Sequence, residues 1–266
     1  MNLPNRQQAS TFFKASLLLM FFSVSTYGYE QKHIAKDAAQ LVKIKANPEH
    51  DFLLFADYYV GGKRSGGVIV LHDCNRDRRA YSATAKSLAE QGLHTLLVDL
   101  RGYGESISSA YSQEIAKKKS KDIISYQSEM ALITAHWPSD LLASYQFLAK
   151  KVAKNKDIAI VASGCSSAYA VALAEKIQFN SMVLITPKMT YGAKERYKNL
   201  VDIPSYFITS LHHQDSYQTA QELFVWSGAK QSKIQVFKGD RYNSQLISRQ
   251  KHLVNDIALW VKHNLR

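Results

Sequence analysis

The 266-residue sequence has only two cysteines, Cys74 and Cys165. Two thiols exclude a multi-disulfide scaffold and, by themselves, a cysteine-based zinc finger. With 12 glycines and five prolines the chain is neither collagenous nor low in complexity. A hydrophobic share of 46% excludes intrinsic disorder and suits one large globular domain or two small ones. Acidic residues are scarce, 22 against 34 lysines and arginines, for a formal net charge of +12. The basic residues are spread over Lys117–Lys121, Lys150–Lys156, Lys188–Lys198 and Lys230–Arg241. No basic motif interleaved with aromatics marks a nucleic-acid module. The expected consequence of the charge is weak attraction to anionic envelope surfaces.

The N-terminus is different in kind. Residues 1–28 contain Arg6 and Lys14, no acidic residue, and the apolar run Ala15-Ser-Leu-Leu-Leu-Met-Phe-Phe-Ser-Val24 before small and polar residues. That order is the positive, apolar and cleavage-zone order of a secretory signal peptide, with Ser23-Val-Ser25 or Thr26-Tyr-Gly28 as the cleavage site. About ten apolar residues are too few to span a bilayer, and no later run is long enough. The mature chain, 29–266, is therefore expected to be exported, periplasmic or extracellular, and soluble. No cysteine near the cleavage zone offers a lipid attachment point. Losing Arg6 and Lys14 lowers the net charge to +10 (34 − 2 basic against 22 acidic).

Beyond residue 28, short β-branched runs alternate with amphipathic ones. Strands are expected at 41–45 and 52–60, an antiparallel start, then at 67–71, 94–100, 157–163, 181–186, 204–210 and 232–238. Helices are expected at 77–91, ended by Gly92, and at 138–153, 166–177, 216–229 and 244–264. Gly67-Val-Ile-Val-Leu71 is a continuous apolar run, as in a strand buried on both faces. Such alternation implies an α/β domain: a mostly parallel sheet with helices on both faces. Neither repeat nor linker interrupts it, so one domain is expected. Residues 105–136 fit the alternation poorly, and either a lid-like insertion or a solvated surface excursion accounts for them.

In an open parallel sheet, ligands bind beyond the carboxyl ends of the strands. Three strand ends carry chemistry: His72-Asp-Cys-Asn75, Arg101-Gly-Tyr-Gly-Glu-Ser106 and Gly164-Cys-Ser-Ser-Ala168. Val68-Ile-Val-Leu-His-Asp73 and Leu97-Val-Asp-Leu-Arg-Gly-Tyr-Gly-Glu-Ser106 together resemble the α/β-hydrolase superfamily, most closely its dienelactone-hydrolase and small-esterase branches. The second segment is the more specific, being close to the family's Asp-x-Arg-Gly-x-Gly-x-Ser. The resemblance runs from about Asp57 to Arg266 and implies an α/β-hydrolase fold.

It also implies a nucleophile elbow, a strained strand-to-helix turn written Gly-x-Ser-x-Gly. Two registers are open. Cys165 as nucleophile has Ser163 and Ser167 as flanks; Ser166 has Gly164 and Ala168, with Tyr169 following where a small residue is usual. Cys165 is the favoured reading, since its flanks are all small and it leaves the apolar strand Ile158–Ala162 closer to the elbow; a cysteine there is how dienelactone hydrolases differ from serine esterases. A helix N-terminus favours a thiolate. The alternative for Cys165 is a buried core thiol. The implied oxyanion donors are the N–H groups of Ser166 and Cys74, and His72 is implied to be structural.

The same resemblance places the acid on the loop after Ile203-Pro-Ser-Tyr-Phe-Ile-Thr-Ser-Leu-His-His-Gln-Asp215, at Asp215. The histidine should follow the last strand in a Gly-x-x-His-Gly turn. The sequence there is Gly239-Asp-Arg-Tyr-Asn243, so Tyr242 stands at the histidine position, and no histidine occurs from Gln214 to Lys251. A phenol with a pKa of about 10 is a poor base at neutral pH. His212 or His213 would have to swing in as replacements, and His252 falls inside the last helix pattern. Cysteine depends less on a base than serine does.

The resemblance also brings Cys74 and Cys165 toward one site. An exported protein exposes such a pair to oxidation. A bridge needs Cα atoms within about 7 Å and would stabilise by roughly 4 kcal/mol on the loop-entropy relation. Dithiol and disulfide both remain open. Three functions are compatible with these residues. One is an exported ester or thioester hydrolase using Cys165, of doubtful activity for want of histidine. Another is a non-catalytic protein that binds a ligand or partner in the same pocket. The third is a redox-sensitive protein switching at Cys74 and Cys165. None calls for a metal or organic cofactor; a small acyl compound is the expected substrate or ligand.

Overall fold

The computed structural model describes residues 38–47, 50–153 and 158–265; the segment read as a leader, 1–28, lies outside them. Among the described residues eight strands form one sheet in the order β1-β2-β4-β3-β5-β6-β7-β8. They are β1 (Gln40–Asn47), β2 (His50–Tyr59), β3 (Gly67–Leu71), β4 (His94–Val98), β5 (Ile158–Ser163), β6 (Ser181–Ile185), β7 (Ser205–Ser210) and β8 (Lys233–Phe237). β2 runs antiparallel to both β1 and β4, and every pairing from β4 to β8 is parallel. The antiparallel start and the parallel body match the sequence reading.

Every residue of β3, β4, β5, β6 and β7 is buried. Their unbroken apolar runs follow from helices on both faces, which leave no side of the strand for polar residues. On one face Val68, Val70, Leu97 and Val161 pack with α1 (Ser82–Glu90), α8 (Asn243–Arg249) and α9 (Leu253–Asn264), through Leu88, Leu246 and Ile257. On the other Ile69, Leu71, Val98 and Ile160 meet α4 (Trp137–Ala149), α5 (Ser166–Ala174) and α7 (Gln214–Trp226), through Leu141, Val171 and Leu223. Truncating a fully buried residue such as Ile160 to alanine typically costs about 2–5 kcal/mol. No helix among the described residues is long and apolar enough to cross a membrane.

Three elements differ from expectation. The helix expected at 77–91 opens as a 3-10 turn at Arg78–Tyr81, with Asp77 capping it through Arg79 N–H, and becomes α-helical at Ser82. The helix expected at 244–264 is two, α8 and α9, broken at Gln250, whose backbone is not helical. Residues 105–136 hold a helical pair, α2 (Gln113–Lys119) and α3 (Ile123–Thr134), and α6 (Tyr191–Tyr197) was not foreseen. α2, α6 and α8 are each seven residues long, too short for helical periodicity to stand out in the sequence.

The Asp-x-Arg-Gly-x-Gly-x-Ser segment is explained by contacts rather than chemistry. Asp99 accepts from Arg78 N–H at 2.9 Å and Glu105 N–H at 2.8 Å, and its carboxylate also meets the Arg78 guanidinium. Gly104, at φ +54°, lies so close to that carboxylate that a Cβ would overlap it. Arg101 makes a two-point ion pair with Asp140, at 3.0 and 2.7 Å, with both side chains 1% exposed. Phe52 and Tyr111 stack on the same guanidinium, at 4.0 and 4.8 Å. Ser106 Oγ accepts from Phe55 N–H at 2.8 Å and ties the segment to β2.

Candidate functional site

The order β4-β3-β5 means that the chain leaves β3 toward one side of the sheet and later returns on the other. Ligand crevices form at such a reversal, beyond the carboxyl ends of the two strands. Leu71 of β3 is in register with Ala162 of β5, and each strand carries a cysteine three residues farther on. Parallel neighbours with equal overhangs bring Cys74 and Cys165 to a Cα–Cα distance of 5.9 Å, where they form a disulfide. In this form Cys165 has no free thiol and cannot be the nucleophile expected of it.

The turn from β5 into α5 has its left-handed residue at Gly164, φ +57°, whereas Cys165 has φ −65° and is the N-cap of α5. Gly164 N–H donates to Ile185 O at 2.9 Å, and Gly164 O accepts from Lys188 N–H at 3.1 Å. A Cβ on Gly164 would lie 2.9 Å from Asn243 Oδ1 and 3.0 Å from Nδ2, so the place of a side chain is filled from across the site. Ser166, the alternative nucleophile, is fully buried. Its hydroxyl donates to Ser163 O at 2.9 Å and accepts from Ser163 N–H at 3.0 Å, so it braces the turn and does not line the cavity. Neither Cys165 nor Ser166 holds the left-handed position of the turn, which is Gly164, within Ala162-Ser-Gly-Cys-Ser166. Of the residues expected to supply oxyanion donors, Cys74 lines the cavity and Ser166 does not.

Asn243 is the other unforeseen residue. It is buried, adopts φ +50°, donates its N–H to Thr186 Oγ1 at 2.9 Å and accepts from that hydroxyl at 2.5 Å. Asparagine tolerates the left-handed region better than most non-glycine residues. Ser163 Oγ is 3.3 Å from Asn243 Oδ1 and 2.7 Å from the Tyr81 hydroxyl, which also donates to Asp73 Oδ2 at 2.6 Å. This buried chain of polar groups links the ends of β3, β5 and β6 behind the disulfide. Burial, then the Asp73 carboxylate, raises the Tyr81 phenol well above its ordinary value. His72 is structural, as expected. Its Nε2 accepts from Leu100 N–H at 3.0 Å, so Nδ1 carries the proton and donates to Asp73 O at 2.7 Å. Burial lowers its pKa.

In front of the disulfide is a cavity of ≈ 620 Å³. Cys74, Cys165, Asp215 and Tyr242, expected at one site, all line it, together with Gly164, Asn243 and His213. Asp215 sits exposed in the first turn of α7. Tyr242 precedes α8 and stacks on His213, ring centroids 4.5 Å apart. His213 Nδ1 is 2.7 Å from Ser216 Oγ. His212 is exposed, and His252 stands at the start of α9 beside Phe237 and Asp256; neither lines the cavity. Lys188, Met189 and Ala168 complete a mixed polar and apolar wall. Among the described residues no cluster of three or more histidines, cysteines or carboxylates could hold a metal ion. The signal for Gly164 was in the sequence: Ala162-Ser-Gly-Cys-Ser166 has small residues at both flanks with glycine at the centre.

No protein-family model matches this sequence, and no curated relative matches it. Solved structures do. A dienelactone hydrolase from Anabaena variabilis superposes with a TM-score of 0.63 over 86% of this chain and 98% of its own, at 13% identity. An esterase from Pyrococcus furiosus gives 0.60 over 86% and 93%, at 15% identity. A predicted CIB-like hydrolase from Thermoplasma acidophilum gives 0.62 over 85% and 99%, at 11% identity. The chain has the α/β-hydrolase fold, and its structural neighbours include a dienelactone hydrolase and esterases.

Proposed function

We propose that this protein is a non-catalytic α/β-hydrolase-fold protein that binds a small acyl-type ligand in the cavity before the Cys74–Cys165 disulfide. The observation that carries this reading is Gly164 at the strained apex of the β5–α5 turn, its Cβ position occupied by Asn243. On this fold the nucleophile stands at that apex. A glycine there supplies no nucleophilic atom, and Tyr242 and Asn243 supply no imidazole beside it. What remains is a cavity of ≈ 620 Å³, within the usual range for small-molecule sites.

The test pairs turnover with binding. Oxidised wild type is expected to hydrolyse nitrophenyl acetate and butyrate no faster than buffer, and Tyr242→His is expected to stay at background. Short-chain carboxylates and esters are expected to give saturable thermal stabilisation, about 2.7 kcal/mol at a hundredfold excess over Kd. Filling the cavity with Ala168→Trp should abolish that stabilisation. Ester turnover by the oxidised protein that drops with Asp215→Asn refutes the reading.

A second reading is supported by Cys165, Asp215 and Tyr242 lining one cavity: a thiol-dependent acyl hydrolase that works only when reduced. Turnover that appears with dithiothreitol and disappears in Cys165→Ala would establish it. We also propose export, on residues 1–28 and on a disulfide suited to an oxidising compartment. N-terminal sequencing of the cellular protein tests it, since an intact Met1 would exclude cleavage.

A further inference from the structure

α2 and α3 meet at a tip, Lys117-Lys-Lys-Ser-Lys-Asp-Ile-Ile124, whose every residue except half-buried Ser120 is exposed. Ile123 and Ile124 are 65% and 71% exposed, at the first turn of α3, where a globular protein gains nothing by showing two adjacent isoleucines. Four lysines against one aspartate give the tip a net charge of +3. The turn is rigid: Asp122 caps α3 by accepting Ser125 N–H at 2.7 Å, and Ser125 Oγ accepts the Asp122 N–H at 3.1 Å. Lys118 is paired with Glu114 across the exposed face of α2, whereas Lys117, Lys119 and Lys121 have no acidic partner among the described residues.

We propose that this tip docks the protein on an anionic lipid surface, the lysines at the phosphate level and Ile123 and Ile124 inserted among the acyl chains. Adjacent cationic and apolar groups at one apex match the two layers of a bilayer interface. A second copy of the chain fits less well, because two such tips would bring like charges together. Nucleic acid would leave the isoleucines without a partner. Lys117, Lys121 and Ile123 line a shallow cavity that reaches Asn75, itself part of the candidate-site wall, so docking would hold that site close to the membrane.

The probe is co-sedimentation of the full mature chain with vesicles of phosphatidylcholine alone or mixed with phosphatidylglycerol. Binding is expected only to the mixed vesicles, weakening as salt is raised. Each of Lys117→Gln, Lys119→Gln and Lys121→Gln should weaken it about fivefold. Ile123→Ser with Ile124→Ser should weaken it by at least tenfold without changing the net charge. Lys230→Gln with Lys238→Gln, a charge change elsewhere, should leave it within about twofold. The proposal fails if wild type ignores the mixed vesicles or binds both kinds equally. It also fails if the isoleucine pair is without effect, or if the Lys230/Lys238 variant loses as much as the tip variants. A shift from dimer to monomer in Ile123→Ser/Ile124→Ser, with no vesicle binding by wild type, would assign the tip to self-association instead. Circular dichroism and thermal unfolding of each exposed-site variant should match wild type.

Discussion

The disulfide offers the sharpest quantitative test of this fold. Cys74 and Cys165 close a loop with a sequence separation of 91, and the loop-entropy relation for that length gives about 4.6 kcal/mol at 25 °C. The loop contains β4, α1 to α4 and β5, so without the bond the unfolded chain regains the freedom of a segment carrying two of the eight strands and four helices. The double variant Cys74→Ala/Cys165→Ala, and wild type in dithiothreitol, should both lose stability of this size. Urea denaturation followed by tryptophan fluorescence measures it, and for a chain of this size the melting temperature should fall by roughly 9–18 °C. Agreement between the two perturbations is the essential point, because reduction removes the bond without removing either sulfur from its packing. A loss below about 1 kcal/mol in both refutes the loop-closure reasoning. A loss confined to the alanine variant refutes it too, since that pattern would mean side-chain packing. Alkylation under native oxidising conditions should label no thiol before reduction and two after it.

Arg101→Met should destabilise by about 3–5 kcal/mol, because it leaves the Asp140 carboxylate buried without its cation, while Arg101→Met/Asp140→Leu should recover most of that loss. Denaturation of the two variants checks this; equal losses would mean that the pair contributes through shape alone. His94 Nδ1 accepts from Gly61 N–H at 3.0 Å and lies 2.7 Å from the Tyr58 hydroxyl; burial, helped by the nearby Lys151 charge and opposed by the hydrogen bond to Gly62 O, holds its pKa below the usual histidine value. His72 is lowered in the same direction. Unfolded histidines take up protons near pH 6.5 and the folded ones do not, so stability should be full above that pH. It should fall as the pH drops below it, levelling once the folded pKa values are passed. His94→Gln should flatten the decline, and an unchanged slope in that variant would contradict the assignment. Gly164→Ala should cost at least 1 kcal/mol from its left-handed backbone and its contact with Asn243, and Asn243→Gly should relieve part of the loss. Thermal unfolding of the single and double variants measures the coupling.

The fold was legible because its signals are local. The apolar runs of β3 to β7, Gly92 past the end of α1 and the Asp99–Ser106 segment each report a backbone requirement within a few residues. α2 and α6 left no such trace: seven-residue helices rest mainly on tertiary contacts, as where Gln113 N–H at the start of α2 donates to Gly102 O at 2.9 Å. The order of the acid loop and the last turn was readable too, and Cys74, Cys165, Asp215 and Tyr242 do line one cavity.

What the residues alone determined is therefore the alternation, the buried sheet and the set of strand ends that converge. Those follow from hydrophobic periodicity, which acts along the chain. Only the tertiary structure decided which residue occupies the left-handed position of the β5–α5 turn, because the two registers read from the string centred on Cys165 or Ser166, whereas the residue with φ near +57° is Gly164. It also decided that Asn243, 79 positions from Gly164 in the numbering, fills the space above it, and that equal overhangs on β3 and β5 bring two cysteines into bonding distance. Strain, occupied volume and register across a sheet are relations between segments distant in sequence, and the order of residues does not state them.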